Sequence, residues 1–334
     1  VTHPYPVPVA HEEPLAGVTR VLALKEADGA DRFRAGSLPQ MAGRVYGGQV
    51  LAQGMLAAAA TVPGCLPPVS PHESGASDEL MLPHSVHGSF LRGGNPDQDI
   101  AFEVDRLHDG RSFVQRRTTA TQANHTLLSM ITSFQRPEEG PQDADPAPRV
   151  PRPEELTSAL EIFRSIDHPV AKFLGRTAAF DVRHVEGNLY LRSSKQRASR
   201  QHVWMRARGA MPESASQVVH RALLTYVVDQ IMLEPALRRQ SLSWRTPGMS
   251  LATLDHAQWF HHDVNVNEWL LFVQDCPTFQ SGRAMVRADV YSRDGRLIST
   301  VAQEGMIRVP ESDTPRGHWQ IRLGDNDSGG EIPA

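Results

Sequence analysis

Cysteine is scarce: the 334 residues contain two, Cys65 and Cys276. They stand far apart and form no metal-ligand spacing, so neither a disulfide framework nor a zinc site underlies the fold. Basic charge is not in excess either. A net charge of -4 and a pI near 6.4, with no basic stripe, argue against a nucleic-acid partner. Long apolar runs are missing: nothing reaches the roughly 18 residues a spanning helix needs. The first twenty residues, rich in proline, histidine and acid, hold no signal-peptide core. The tail Glu331-Ile332-Pro333-Ala334 carries neither a prenylation cysteine nor a peroxisomal address, so the expectation is a cytoplasmic protein without membrane insertion. There is no Gly-x-Ser-x-Gly elbow, which disfavours an α/β-hydrolase nucleophile.

What the chain does have is an internal repeat. His84-Ser85-Val86-His87-Gly88-Ser89-Phe90-Leu91 aligns with Thr253-Leu254-Asp255-His256-Ala257-Gln258-Trp259-Phe260, and Leu127 to Ser133 aligns with Leu297 to Gln303. A period this long marks a duplicated domain, because solenoid repeats run to roughly 20 to 50 residues. In this alignment Thr253 replaces His84 and Gln303 replaces Ser133. Divergence at matched positions is what a site present in one half would produce, though drift would produce it too.

The pattern divides the chain into a first domain over 14–136, a proline-rich linker with a short helix over 137–169, a second domain over 170–310 and a polar tail over 311–334. In the first domain Val21 to Leu24 reads as a strand and Gln49 to Thr61 as a helix. Strands follow over His84 to Leu91, Ile100 to Leu107, Phe113 to Thr121 and Thr126 to Gln135. Six prolines between Arg136 and Pro153 indicate an extended linker, with partner binding as the lesser alternative. A helix is expected over Glu154 to Ser165.

The second domain repeats the plan, with strands over Phe180 to Val185, Asn188 to Arg192 and Gln201 to Ala207. Ser214 and Gln217 fit a capping box, opening a helix that runs to about Leu233 and is apolar on most of its circumference. Such a helix is buried on nearly all sides. Trp269 to Asp275, Ala284 to Tyr291 and Leu297 to Val309 complete the sheet, and Arg293-Asp294-Gly295 makes a hairpin turn. One buried helix wrapped by an antiparallel sheet is the hotdog architecture. The predicted fold class is α+β, a double hotdog.

Asp229 stands beside Val227, Val228 and Ile231. A carboxylate there loses hydration and becomes a better proton acceptor, a candidate general base. The competing reading is a polar residue near a helix end that faces water or caps a neighbour. Gly47 and Gly48, before the first helix, offer backbone N–H groups for substrate binding, or simply permit the bend that precedes it. His261-His262-Asp263 invites a metal or acyltransferase site, but position 266 is Val and no ligand set accompanies it.

Arg44-Val45-Tyr46-Gly47-Gly48-Gln49, His84-Ser85-Val86-His87 with Phe90-Leu91-Arg92, Leu254-Asp255-His256-Ala257 with Trp259-Phe260-His261, and Ser299-Thr300-Val301-Ala302-Gln303-Glu304-Gly305 together resemble the acyl-CoA thioesterase II family over about Arg44 to Arg308. The resemblance implies a double hotdog that hydrolyses medium- to long-chain fatty acyl-CoA to fatty acid and CoA. It implies no metal or other cofactor, and a site in the second hotdog where Asp229, Thr253 and Gln303 are catalytic. In this reading Asp229 takes the proton of an attacking water that Thr253 and Gln303 position. The chain departs from the family pattern at His262-Asp263, at Gly93-Gly94 and in a long segment over 64–82, changes that bear on pocket shape. Competing functions are a hotdog acyl-CoA hydratase or dehydratase and a non-catalytic acyl-CoA binding protein. Exposed sheet edges favour a homodimer or higher homo-oligomer.

Overall fold

Two Ala- and Val-rich helices set the architecture. In the computed structural model, which describes residues 7–41, 43–65, 81–194 and 197–309, α1 spans Leu15–Leu22, the hairpin β1 and β2 spans Lys25–Glu26 and Arg32–Ala35, and α2 spans Gly47–Ala60. The first half then adds β3 (Leu82–Phe90), β4 (Ile100–Asp109), β5 (Phe113–Gln122) and β6 (His125–Gln135). Short helices α3 (Ala159–Arg164) and α4 (Pro169–Thr177) lead to β7 (Phe180–His184), β8 (Arg200–Ala207), α5 (Gln217–Val228) and α6 (Glu234–Arg239). The chain closes with β9 (Ser250–Thr253), β10 (Asp255–Phe260), β11 (Leu270–Gln280), β12 (Arg283–Ser292) and β13 (Leu297–Arg308).

All the strands join one antiparallel sheet in the order β1-β2-β4-β5-β6-β3-β10-β13-β12-β11-β8-β7, with β9 paired to β13. The two halves meet at the β3–β10 seam, where His87 lies opposite Ala257. Strand alternation supplies the inner faces: Ile100, Phe102 and Val104 on β4 and Ala284, Val286, Ala288 and Val290 on β12 are buried. Every residue from Gly48 to Ala59 in α2 and from Val218 to Val228 in α5 is buried. Small side chains on α2 let its backbone approach its neighbours closely: a Cβ on Gly54 would meet the Met130 sulfur. Each half is a hotdog, a central helix enclosed by its curved sheet.

Several local expectations are corrected. Val21 to Leu24 is no strand, because Leu15, Val18 and Leu22 recur at helical spacing and bury one face of α1. Asn188 to Arg192 forms no strand either. The second-half helix opens on Ser216, whose hydroxyl accepts from the Val219 N–H, rather than on Ser214. Gln217 instead exchanges two hydrogen bonds with the Val264 backbone. That helix stops at Val228, and α6 resumes only at Glu234. The helix expected over 154–165 is a single 3-10 turn at Pro153–Glu155 followed by α3. The linker does not hang free: the Trp204 indole donates to the Pro151 carbonyl, and Ala147, Val150 and Leu156 pack on Trp204, Trp269, Leu271 and Tyr291. The tail over 311–334 and most of the 64–82 segment lie outside the described residues.

Candidate active site

Asp229 is the C-cap of α5, with helical backbone angles, and its side chain is half-buried. Val227 and Val228 stay in the core while the carboxylate emerges past the last turn. The expected desolvation is therefore partial, and hydrogen-bond donors surround the group. The Thr253 hydroxyl donates to Oδ1 at 2.9 Å and the Gln303 amide to the same oxygen at 3.0 Å. The Gln303 amide also lies 3.1 Å from Thr253 Oγ1. On the other oxygen, Oδ2, the Gly48 N–H donates at 3.0 Å. The three side chains foreseen from sequence thus touch one another. Thr253 and Gln303 hold the carboxylate directly, where the sequence reading had them hold a water.

The backbone explains how Thr253 and Gln303 reach this point. Thr253 ends β9 opposite Gly305, whereas β10 pairs with β13 in a register shifted by one residue, Ala257 opposite Ala302. Leu254 sits at the break, accepting from the Phe90 N–H of β3 and donating to the Glu304 carbonyl. The break turns Thr253 toward α5. Gln303 lies on the inward face of β13 and is fully buried. Behind it the His256 ring, also inward and buried, places Nδ1 2.9 Å from Gln303 Oε1.

The glycines bring the two helices together. A Cβ on Gly48 would run into the Tyr226 carbonyl, and one on Gly47 would stand 2.8 Å from Asp229 Oδ2 and 3.1 Å from the Phe90 ring. The Tyr46 hydroxyl donates to that same Tyr226 carbonyl at 2.6 Å. Burial, with the charge of Asp229 adding to it, pushes the Tyr46 phenol well above its ordinary range, so it stays a donor. Of the two glycine N–H groups, that of Gly48 is committed to Asp229. No hydrogen bond among the described residues occupies that of Gly47. Tyr46 and His256 both lie in motifs visible in the sequence, but their contacts run between segments whose pairing only the fold reveals.

Residues 35–135 match the family model described as the acyl-CoA thioesterase N-terminal domain, and residues 137–307 match that of the C-terminal domain. The chain belongs to the acyl-CoA thioesterase II family. It is 30% identical over 308 residues to human acyl-coenzyme A thioesterase 8, covering 87% of this chain and 89% of that one. The crystal structure of the acyl-CoA thioesterase II TesB2 from Mycobacterium marinum superposes with a TM-score of 0.68 at 31% identity, over 90% of this chain and 100% of that one. A hot dog fold protein from Alicyclobacillus acidocaldarius, 18% identical with a TM-score of 0.66 over 88% of this chain and 99% of that one, shares the fold.

Among the described residues of this thioesterase-family chain the constellation occurs once. A spacing of 170 residues separates the N-caps Tyr46 and Ser216, and it also sets the buried Val86 and Gly88 of β3 against the buried His256 and Gln258 of β10. By that spacing Ala59 corresponds to Asp229, Pro83 to Thr253 and Val86 to His256. On the last strand of each half the spacing is one residue longer: Thr132 faces Val86 on β6 as Gln303 meets His256 on β13, so Thr132 is the counterpart of Gln303. The sequence alignment had matched His84 to Thr253 and Ser133 to Gln303, one residue out on each strand. A one-residue slip exchanges the faces of a strand. His84 bonds Ser133 at 2.8 Å and meets the partly exposed Phe113 ring on the outer face, away from the helices. His261 likewise serves structure: its Nε2 lies 3.0 Å from Thr300 Oγ1, while Asp263 is mostly exposed beside Arg221 at 3.6 Å.

Proposed function

We propose that this chain hydrolyses medium- to long-chain fatty acyl-CoA to CoA and free fatty acid, by direct attack of a water that Asp229 deprotonates. The observation that carries this reading is the convergence of Thr253 and Gln303 on one oxygen of Asp229. With Oδ1 doubly occupied, the carboxylate is fixed in orientation, and Oδ2, which among the described residues accepts only from Gly48, keeps a lone pair for the water. That oxygen faces Gly47, whose unoccupied N–H is suited to receive the thioester oxygen.

The water oxygen bonds to the thioester carbon while its proton passes to Asp229. The carbonyl electrons move onto oxygen, where the Gly47 N–H stabilises them; one such donor is typically worth about 10²- to 10³-fold in rate. Collapse breaks the C–S bond, and the proton returns from Asp229 to the departing thiolate. A thioester is electrophilic enough that the scheme needs no protein nucleophile, and it includes no metal or other cofactor. Gly48, first considered for substrate binding together with Gly47, holds the base instead.

A cytoplasmic role in fatty acid metabolism and a homodimer or higher assembly belong to the same proposal. The exposed Leu107, Phe113 and Ile131 of β4, β5 and β6 give association apolar surface to cover; a monomeric mass in solution would remove that part.

Thiol release from acyl-CoAs of increasing chain length, followed with purified protein, tests the reading. Sustained release of free CoA is expected. Tight acyl-CoA binding without release would point to a binding protein, and hydration of an enoyl-CoA without release to a hydratase.

A further inference from the structure

Resting on the role given above to Asp229, we propose that His256 is a positioning residue for this reaction, fixing which end of the Gln303 carboxamide faces the carboxylate. A primary amide has one accepting and one donating end of nearly equal size, and packing alone does not choose between them. Here the Gln303 oxygen lies 2.9 Å from His256 Nδ1. A carbonyl oxygen only accepts, so Nδ1 carries the proton and donates. The NH2 end is then directed at Asp229 Oδ1 and Thr253 Oγ1. Turned by 180°, the amide would set its oxygen against the carboxylate and an N–H against the Nδ1 proton.

The imidazole is confined by burial: His256 is 1% exposed. Its Nε2 lies 3.5 Å from the Gln258 oxygen, acceptor beside acceptor in the Nδ1–H tautomer, so the hydrogen bond to Gln303 is the one that orients the ring. That oxygen accepts from the Thr225 hydroxyl of α5 at 2.9 Å. The Gln258 amide donates to Ser299 Oγ at 3.1 Å, and Ser299 donates to the Trp259 carbonyl. Buried polar side chains of α5, β10 and β13 thus surround the imidazole, and its link to the base runs through Gln303.

The duplication supplies an independent argument. In the first half, Ala59, Pro83 and Thr132 stand where the second half has Asp229, Thr253 and Gln303, and His256 is replaced with them, by Val86. Val86 has no donor to offer, and the buried Thr132 hydroxyl has no hydrogen-bond partner among the described residues. If His256 only filled space, nothing would tie it to the half that holds the carboxylate.

The test uses kcat and KM for thiol release from one acyl-CoA. His256→Ala should lower kcat about 10²-fold, the scale of a misplaced catalytic group, and leave KM near the wild-type value. His256→Asn, whose amide nitrogen sits near the place of Nδ1, should recover most of kcat, while His256→Gln, whose nitrogen sits near Nε2, should not. In a Gln303→Ala background, His256→Ala should cost nothing further, because the amide it orients is gone. Wild-type kcat in His256→Ala, equal rates for the Asn and Gln variants, or losses that multiply in the double mutant would each overturn the proposal. If His256→Ala does not fold, the Asn and Gln comparison decides. Asp229→Asn assayed alongside separates the failures: slow Asp229→Asn with normal His256→Ala removes only the histidine's role, whereas normal Asp229→Asn removes the base.

Discussion

The Gly48 N–H and the Asp229 carboxylate, 181 residues apart in the chain, are hydrogen-bonded at 3.0 Å. The first half therefore contributes to a site whose carboxylate and its two side-chain donors, Thr253 and Gln303, come from the second. It supplies a helix N-terminus, where a negative charge is favoured, and the glycines that let this end approach α5.

This contact predicts different outcomes for two neighbouring substitutions. Gly48→Ala forces a methyl into the Tyr226 carbonyl, backbone that cannot move aside cheaply, and should destabilise the fold by about 1–3 kcal/mol. Gly47→Ala meets the Asp229 carboxylate and the Phe90 ring, both side chains, and should fold while losing turnover. Melting temperatures and thiol-release rates measured on both variants check the contrast; equal melting temperatures with equal rates would contradict it.

Thr253→Val keeps the shape of the side chain but removes the donor to Asp229 Oδ1. We expect kcat to fall by about 10²-fold, and Thr253→Ser, which restores a hydroxyl, to regain most of it. Gln303→Glu places a second carboxylate against the first and should be slower than Gln303→Ala. Steady-state kinetics on the four proteins provide the comparison.

How much of this was legible in the sequence depends on the kind of contact. Asp229 was accessible as a carboxylate among apolar neighbours, Thr253 and Gln303 through the family resemblance of the motifs beside them, and the α5 core through its apolar circumference. Register was not: matching Thr253 to His84 preserved the motif's appearance yet placed its counterpart on the wrong face, since the histidines it aligns, the exposed His87 and the buried His256, lie on opposite faces of their strands. The end of α5 was also hidden, because Ile231, Met232 and Leu233 continue the apolar pattern into a turn that is itself buried. The commitment of the Gly48 N–H follows from the packing of α2 on α5, which no local pattern encodes.

A pH effect on stability follows from a second buried carboxylate. Burial alone would raise the Glu234 carboxyl, but the charge and hydrogen bond of His184, with N–H donors from Trp244 and Gln201, outweigh it and hold the group below its ordinary value of 4.5. Its contribution is thus fully present above about 4.5 and is lost as pH falls through the lower folded value. Glu234→Gln should be less stable than wild type at neutral pH, and the gap should narrow in acid. Urea midpoints of both proteins across this range measure it; a gap independent of pH would contradict the linkage.

Both cysteines are buried. Burial pushes the Cys65 thiol up to about 12, against a small opposing pull from Arg221. Burial also raises Cys276 to about 11, with Arg239 opposing. The folded protein should therefore give almost no colour with a thiol reagent at neutral pH, and two thiols per chain in denaturant. Rapid labelling of the native protein would contradict this.

The account's central claim is that Asp229 deprotonates the attacking water. Its most direct test is kcat for thiol release by Asp229→Asn, a change that keeps size and one accepting oxygen but replaces the other with a donor and removes the base, in protein shown by its melting temperature to be folded. The account predicts a loss of about 10²- to 10⁴-fold; turnover near that of the wild type would contradict it.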